Sequence, residues 1–167
     1  MTSKPVELER AARAPSVEAA AMLRPLGRPE GESPYRIHAE LQETMHDLVG
    51  IIRDETGLNE AIRRIASYKE RLRNVSVPGG RAYNPGWNLA LDLHSMLLIA
   101  ETCATSALLR RESRGGHTRE DYPKPDAAWG KKNIVTVKKG DALVQRTDPL
   151  PEMPDELAKL LEEAATP

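Results

Sequence analysis

Phenylalanine is absent from the 167 residues, and aromatic side chains make up only 4% of them. Any core must therefore rest on Leu, Ile, Val, Met and Ala. The single cysteine, Cys103, excludes an internal disulfide. With no CxxC pair and no Cys/His cluster, nothing suggests a zinc site. Cys103 is expected to be a small core residue in a reducing compartment. Charge of one sign is missing too: 24 Lys and Arg face 25 Asp and Glu. No basic excess argues for nucleic acid. The N-terminal MTSKPVELERAARAP lacks the apolar stretch of a signal peptide. The longest apolar run, Leu89 to Leu109, is interrupted by Asp92, His94 and Glu101. It reads as a buried core helix and not as a direct membrane span. There is no GxGxxG after a strand, no Walker loop and no GxSxG. Internal repeats and low-complexity tracts are absent as well.

What is present is helical periodicity. Residues 1–14 read as a flexible tail, followed by a short helix from about Ser16 to Leu26 with Ser16 as cap. GRPEGESP, residues 27–34, is a breaker cluster and so a loop. Ile37, Leu41, Met45, Leu48 and Ile52 then recur at helical spacing, with Ser33 as N-cap, Pro34 at the first helical position and Gly57 as the stop signal. Leu58, Ile62, Ile65, Tyr68, Leu72 and Val75 mark a second face, closed by VPGG at 77–80. Asn84-Pro85 opens a third helix of about 28 residues that is apolar on two sides and so needs two partners. Leu89, Leu93, Met96, Leu97, Ala100, Ala104 and Leu108 form one stripe, and Leu91, Leu98 and Leu109 a second. Proline punctuates the remainder, excluding a long helix. NIVTV-KKGD-ALVQRT reads as a hairpin turning at Gly140-Asp141. Residues 155–164 read as a short terminal helix capped by Asp155. The fold class is therefore mainly α: an antiparallel three-helix bundle of spectrin-repeat type, with an extended C-terminal tail carrying a short β-hairpin. Its divisions are a tail with a short helix (1–32), the bundle (33–114) and the extended tail (115–167).

The chemistry is concentrated in RRESRGGHTREDYP, residues 110–123. Arg110, Arg111 and Arg114 fall at or after the end of the long helix, where cations complement its dipole, and Gly115-Gly116 lets the chain turn. A helix stop explains those residues but leaves His117, Arg119, Asp121 and Tyr122 without a role. Such a density of planar donors and acceptors suits bidentate ion pairs across a packed interface. An anion cradle is the alternative use of the same turn. His38 and His46, eight residues apart, are poorly spaced for a metal pair and read as surface residues. His94 reads as a buried, hydrogen-bonded histidine.

These residues also carry a resemblance. ESRGGHTREDYP looks like the ESRG-x-H-x-R-x-D-Y/F-P segment near the end of succinate dehydrogenase and fumarate reductase flavoproteins. YNPGWNLALDLHSMLLIAETCATSALLRRESRGGH resembles the long helix that leads into it. LQETMHDLVGIIRDETGL is similar to the family's first bundle helix, and PLPEMPDEL to the tail of actinobacterial-type members. L-aspartate oxidases and adenylylsulfate reductases share the architecture, but NPGWN and PLPEMPDEL favour the dicarboxylate branch.

The resemblance implies the C-terminal helical domain of a flavoprotein that interconverts succinate and fumarate with FAD and passes electrons through an iron-sulfur subunit to quinone. The family's flavin-binding and catalytic motifs lie N-terminal to this region and have no counterpart here, so no catalytic, cofactor-binding or metal residue is assigned. FAD is expected in the parent protein and not in this chain. The domain would pack on the flavin-binding domain of the same or a partner chain, in the cytoplasm and peripheral to the inner membrane face. Arg111, Glu112, Arg114, His117, Arg119, Asp121 and Tyr122 would form its docking edge, solvated when the domain is alone. The exposed apolar stripe would then favour self-association. A stand-alone helical module docking on a separate flavoprotein or assembly factor is the alternative.

Overall fold

The computed structural model describes residues 17–140, 142–157 and 160. The tail at 1–14, the Ser16 cap and Asp141 of the hairpin turn lie outside them, as does most of the expected terminal helix. Of that helix, residues 155–157 and 160 are helical.

Among the described residues four helices carry the fold: α1 (Val17–Gly27), α2 (Pro34–Val49), α3 (Glu55–Leu72) and α4 (Pro85–Leu109). The last three form the expected bundle. Local signals set their starts. Asp54 accepts from the amide of Gly57 at 2.7 Å, and Asn84 accepts from that of Trp87 at 3.0 Å. Each cap satisfies one of the donors left free in a first helical turn. Ser33 precedes α2 as expected, but its side chain makes no capping bond.

The end of α2 departs from the periodicity. The helix stops at Val49, and Ile52–Arg53 form a short strand, β1, paired in parallel with β2 (Thr118–Arg119). Gly57 sits inside the first turn of α3 and is not a stop. The helical pattern ran on through Ile52 because a two-residue strand is too short to imprint a period of its own. Its partner also lies 66 residues away in sequence.

Ile37 and Leu41 of α2, Leu58 and Ile65 of α3, and Leu93 and Leu97 of α4 form the centre of the core, each 5% exposed or less. Burying each such side chain contributes about 1.5–3 kcal/mol. α4 meets its neighbours largely through Ala90, Ala100, Ala104 and Ala107, all buried, so small side chains let the helices approach closely. The hydroxyls of Thr44 and Tyr68 pair across the core at 2.9 Å. At the rim, Arg71 holds both Glu32 and Glu40 and lies over the Tyr68 ring.

Of the second stripe on α4, Leu91 and Leu98 are half-buried and Leu109 is 38% exposed, and the helix gains further cover near both ends. At its start, the indole N–H of Trp87 donates to the carbonyl of Met22 in α1. Near its finish, Gln145 reaches Thr105 and Ser106 from the hairpin of β3 (Lys132–Lys139) and β4 (Ala142–Pro149). Between them Met96, Ile99 and Cys103 stay exposed along a groove shared with His38, Leu41 and Met45 of α2. Cys103 is therefore not a core residue, and His94 is exposed rather than buried. Composition could not say which side of a two-sided helix its neighbours leave open. No described helix is long and apolar enough to cross a membrane.

Candidate functional site: a charged clamp at the closed end of the bundle

α4 ends at Leu109, and the chain turns back on itself immediately. Arg114 and His117 exchange backbone hydrogen bonds at 2.8 and 3.1 Å around Gly115-Gly116. Gly115 has φ +58, a conformation that side-chain-bearing residues rarely adopt, so glycine is needed there. The return strand β2 then lies against β1, with the Thr118 amide donating to the Ile51 carbonyl at 3.1 Å.

This turn folds the charges inward. Arg119 is fully buried. Its Nε and Nη2 grip Asp121 in a bidentate pair at 2.7 and 2.6 Å. Its Nη1 donates to the carbonyls of Ala107 and Leu108 at 2.8 and 3.2 Å, two of the acceptors that the end of α4 leaves open. Asp121 in turn accepts from the amide of Glu55, the first residue of α3, at 3.1 Å. One ion pair thus caps the negative end of α4 and the positive end of α3 together. Its charge–charge bonds hold the Asp121 carboxyl below the usual carboxylate range.

Glu112 forms the second half of the clamp and is also fully buried. It accepts from Arg114 Nε and Nη2 at 3.1 Å each, from Arg110 Nε at 2.9 Å and from the Asp126 amide at 2.7 Å. The Arg114 bonds, more than any other cause, pull its carboxyl down to about 2 against the opposing effect of burial. Arg110 also donates to the Trp129 carbonyl and lies over that ring, tying the clamp to the segment that leads into β3.

His117 is half-buried. Its Nε2 donates to the Arg110 carbonyl at 3.0 Å, which leaves Nδ1 as an acceptor facing Arg53 Nη1 at 3.4 Å. Burial, aided by the nearby Arg53 charge, pushes the imidazole pKa down, in keeping with the neutral ring. Tyr122 receives Arg119 on its face at 5.0 Å and Arg111 at 5.9 Å.

All seven residues expected at this edge are therefore brought to one end of the bundle. The expectation that they are solvated in the lone chain is corrected for Glu112 and Arg119. Their partners lie within twenty residues in the chain itself, so ion pairs form without a second domain. Arg111 and about half of Arg114 remain open to solvent. Sequence reasoning missed Arg53, Asp126 and Trp129. A cation directly after the apolar Val49-Gly50-Ile51-Ile52 run was a usable signal for the first; the other two carry none. His38 lines the apolar groove and His46 is exposed. Among the described residues no three His, Cys, Asp or Glu gather as a metal would require.

The residues present do not fit FAD. The described strands form two sheets of two strands each, with no glycine-rich turn leading from a strand into a helix to cradle a pyrophosphate.

The fold has known relatives. The family model described as fumarate reductase flavoprotein C-term matches residues 38–152. One subunit of the CoM/CoB fumarate reductase of Methanothermobacter marburgensis is 38% identical over 106 residues, 64% of this chain and 19% of that protein. The succinate dehydrogenase flavoprotein subunit of Coxiella burnetii is 30% identical over 110 residues, again 19% of its length. The solved structure of Mycobacterium smegmatis Sdh1 in complex with UQ1 shares 46% identity and a TM-score of 0.78, covering 86% of this chain and 25% of that one. The chain thus spans about a fifth of the curated relatives it matches. With most of α2, all of α3 and α4, the turn and the clamp inside the matched region, this chain belongs to the C-terminal domain family of the succinate dehydrogenase and fumarate reductase flavoproteins.

Proposed function

We propose that the chain works as the packing domain of an FAD-dependent enzyme that interconverts succinate and fumarate. It would dock on a flavin-binding domain, in the same or a partner chain, and contribute no catalytic group. The observation that carries this reading is the family match across residues 38–152 in a chain whose residues do not fit FAD. In the assembled protein an iron-sulfur subunit would take the electrons towards quinone, and the whole would sit peripherally at the inner membrane face.

The docking edge is Arg111, Glu112, Arg114, His117, Arg119, Asp121 and Tyr122, with two kinds of contribution. Glu112, Arg119 and Asp121 hold the shape of the edge, because their charges are already matched internally. Arg111, Arg114, His117 and Tyr122 present the surface. A rigid, preformed edge loses little freedom on docking, which favours affinity.

The test is a visible absorption spectrum of the purified chain, before and after FAD, succinate and a dye acceptor are added. A colourless, inactive protein is expected. A bound flavin band or turnover by the chain alone would overturn the reading.

A further inference from the structure

Arg53 ends β1, between the exposed Ile51 and Ile52 and the buried clamp. Its Nε is shut away from solvent and has no hydrogen-bond partner among the described residues. Among the described residues its Nη1 meets only the neutral His117 Nδ1, at the long limit of a hydrogen bond. The neighbouring guanidinium groups are treated differently: Arg110 and Arg114 share Glu112, and Arg119 holds Asp121. Among the described residues no carboxylate reaches Arg53, while the Arg119 charge opposes it. An arginine cannot escape such a position by losing its proton. A half-buried charge without a counter-ion is a net loss for the lone chain.

The surroundings describe what would reverse that loss. Ile51 and Ile52 are 67% and 63% exposed, so the surface beside the cation is apolar. Arg53 itself offers one guanidinium without a carboxylate, which suits one monoanion.

We propose that Arg53 is the anchor for one Asp or Glu carboxylate, carried by an apolar segment of the flavoprotein's flavin-binding domain that seats on Ile51 and Ile52. The proposal rests on the docking reading above. The carboxylate would reach the outer guanidinium nitrogens, and His117 Nδ1 would hold the inner edge of the fork in place. Arg53 is then an interface residue that lowers the stability of the chain when it is alone.

The wild-type chain can be tested without any partner, by following the arginine Nε–H signals in nitrogen-15 spectra during titration with sodium acetate. The Arg53 signal is expected to move and that of Arg119, already paired, to stay. In parallel, Arg53→Met is expected to raise the melting temperature of the chain by a few degrees, since the side-chain stem is kept and the stranded charge removed. An Arg53 signal that ignores acetate, or a lower melting temperature for the variant, would overturn the proposal. So would a response to inorganic phosphate tenfold stronger than to acetate, which would assign a phosphate-bearing partner. A shift that follows protein concentration instead of acetate would make a second copy of the chain the occupant and would overturn it equally. None of these readouts involves flavin, so their failure leaves the docking reading standing, and a flavin band in the lone chain leaves them interpretable.

Discussion

Glu112 is a carboxylate withdrawn from water and still ionised, because three kinds of donor converge on it. Glu112→Gln keeps the shape and strands Arg110 and Arg114 without their shared acceptor. We expect a loss of about 2–4 kcal/mol in chemical denaturation near neutral pH. The acid dependence follows from the depressed carboxyl. Its contribution is complete above the ordinary value of 4.5 and fades as pH falls towards about 2, where the folded protein also takes up the proton. The wild-type and Gln stability curves should therefore converge across that window, and curves that stay parallel would show that Glu112 is not the titrating group. The burial of this residue was not legible in the sequence. Glu and Arg are ordinarily surface residues, and only the Gly-Gly turn hinted that the chain doubles back far enough to pair them.

Among the elements, α4 shows how a start signal and a packing surface divide the work. Asn84 fixes the first turn, and Asn84→Ala is expected to lower stability by about 1 kcal/mol, read from the shift of the denaturation midpoint. An unchanged midpoint would mean that packing alone positions the helix. Asp54, the cap of α3, was hidden inside the helical period carried on to Gly57, whereas the start of α4 could be read from Asn84 and Pro85, because caps are local. The hairpin was legible for the same reason, in alternating β-prone runs around Gly140. The end of α2 was not, since Ile52 leaves the helix to pair with Thr118, and such pairing is invisible to a short window. Cys103 and His94 went astray for a related reason. Their exposure depends on where α2 and α3 lie, and a helix apolar all round does not disclose which sides its neighbours take.

For the molecule as a whole, the open groove is the feature that a lone domain has to manage. Ile99 is 60% exposed and Met96 38%, beside Leu41 and Met45 of α2. Self-association at high protein concentration is expected, and Ile99→Lys should shift sedimentation velocity profiles towards the monomer with little change in melting temperature. Equal profiles for both proteins would place the contact elsewhere. The clamp has a further consequence, in the order of synthesis. Arg119 and Asp121 leave the ribosome after every helix of the bundle has been made. Until they emerge, the carbonyls of Ala107 and Leu108 and the amide of Glu55 must rely on water. A nascent chain halted before Thr118 would carry three complete helices and no lock between the ends of the last two. The bundle is therefore fastened from its downstream side, by the last of its parts to be translated.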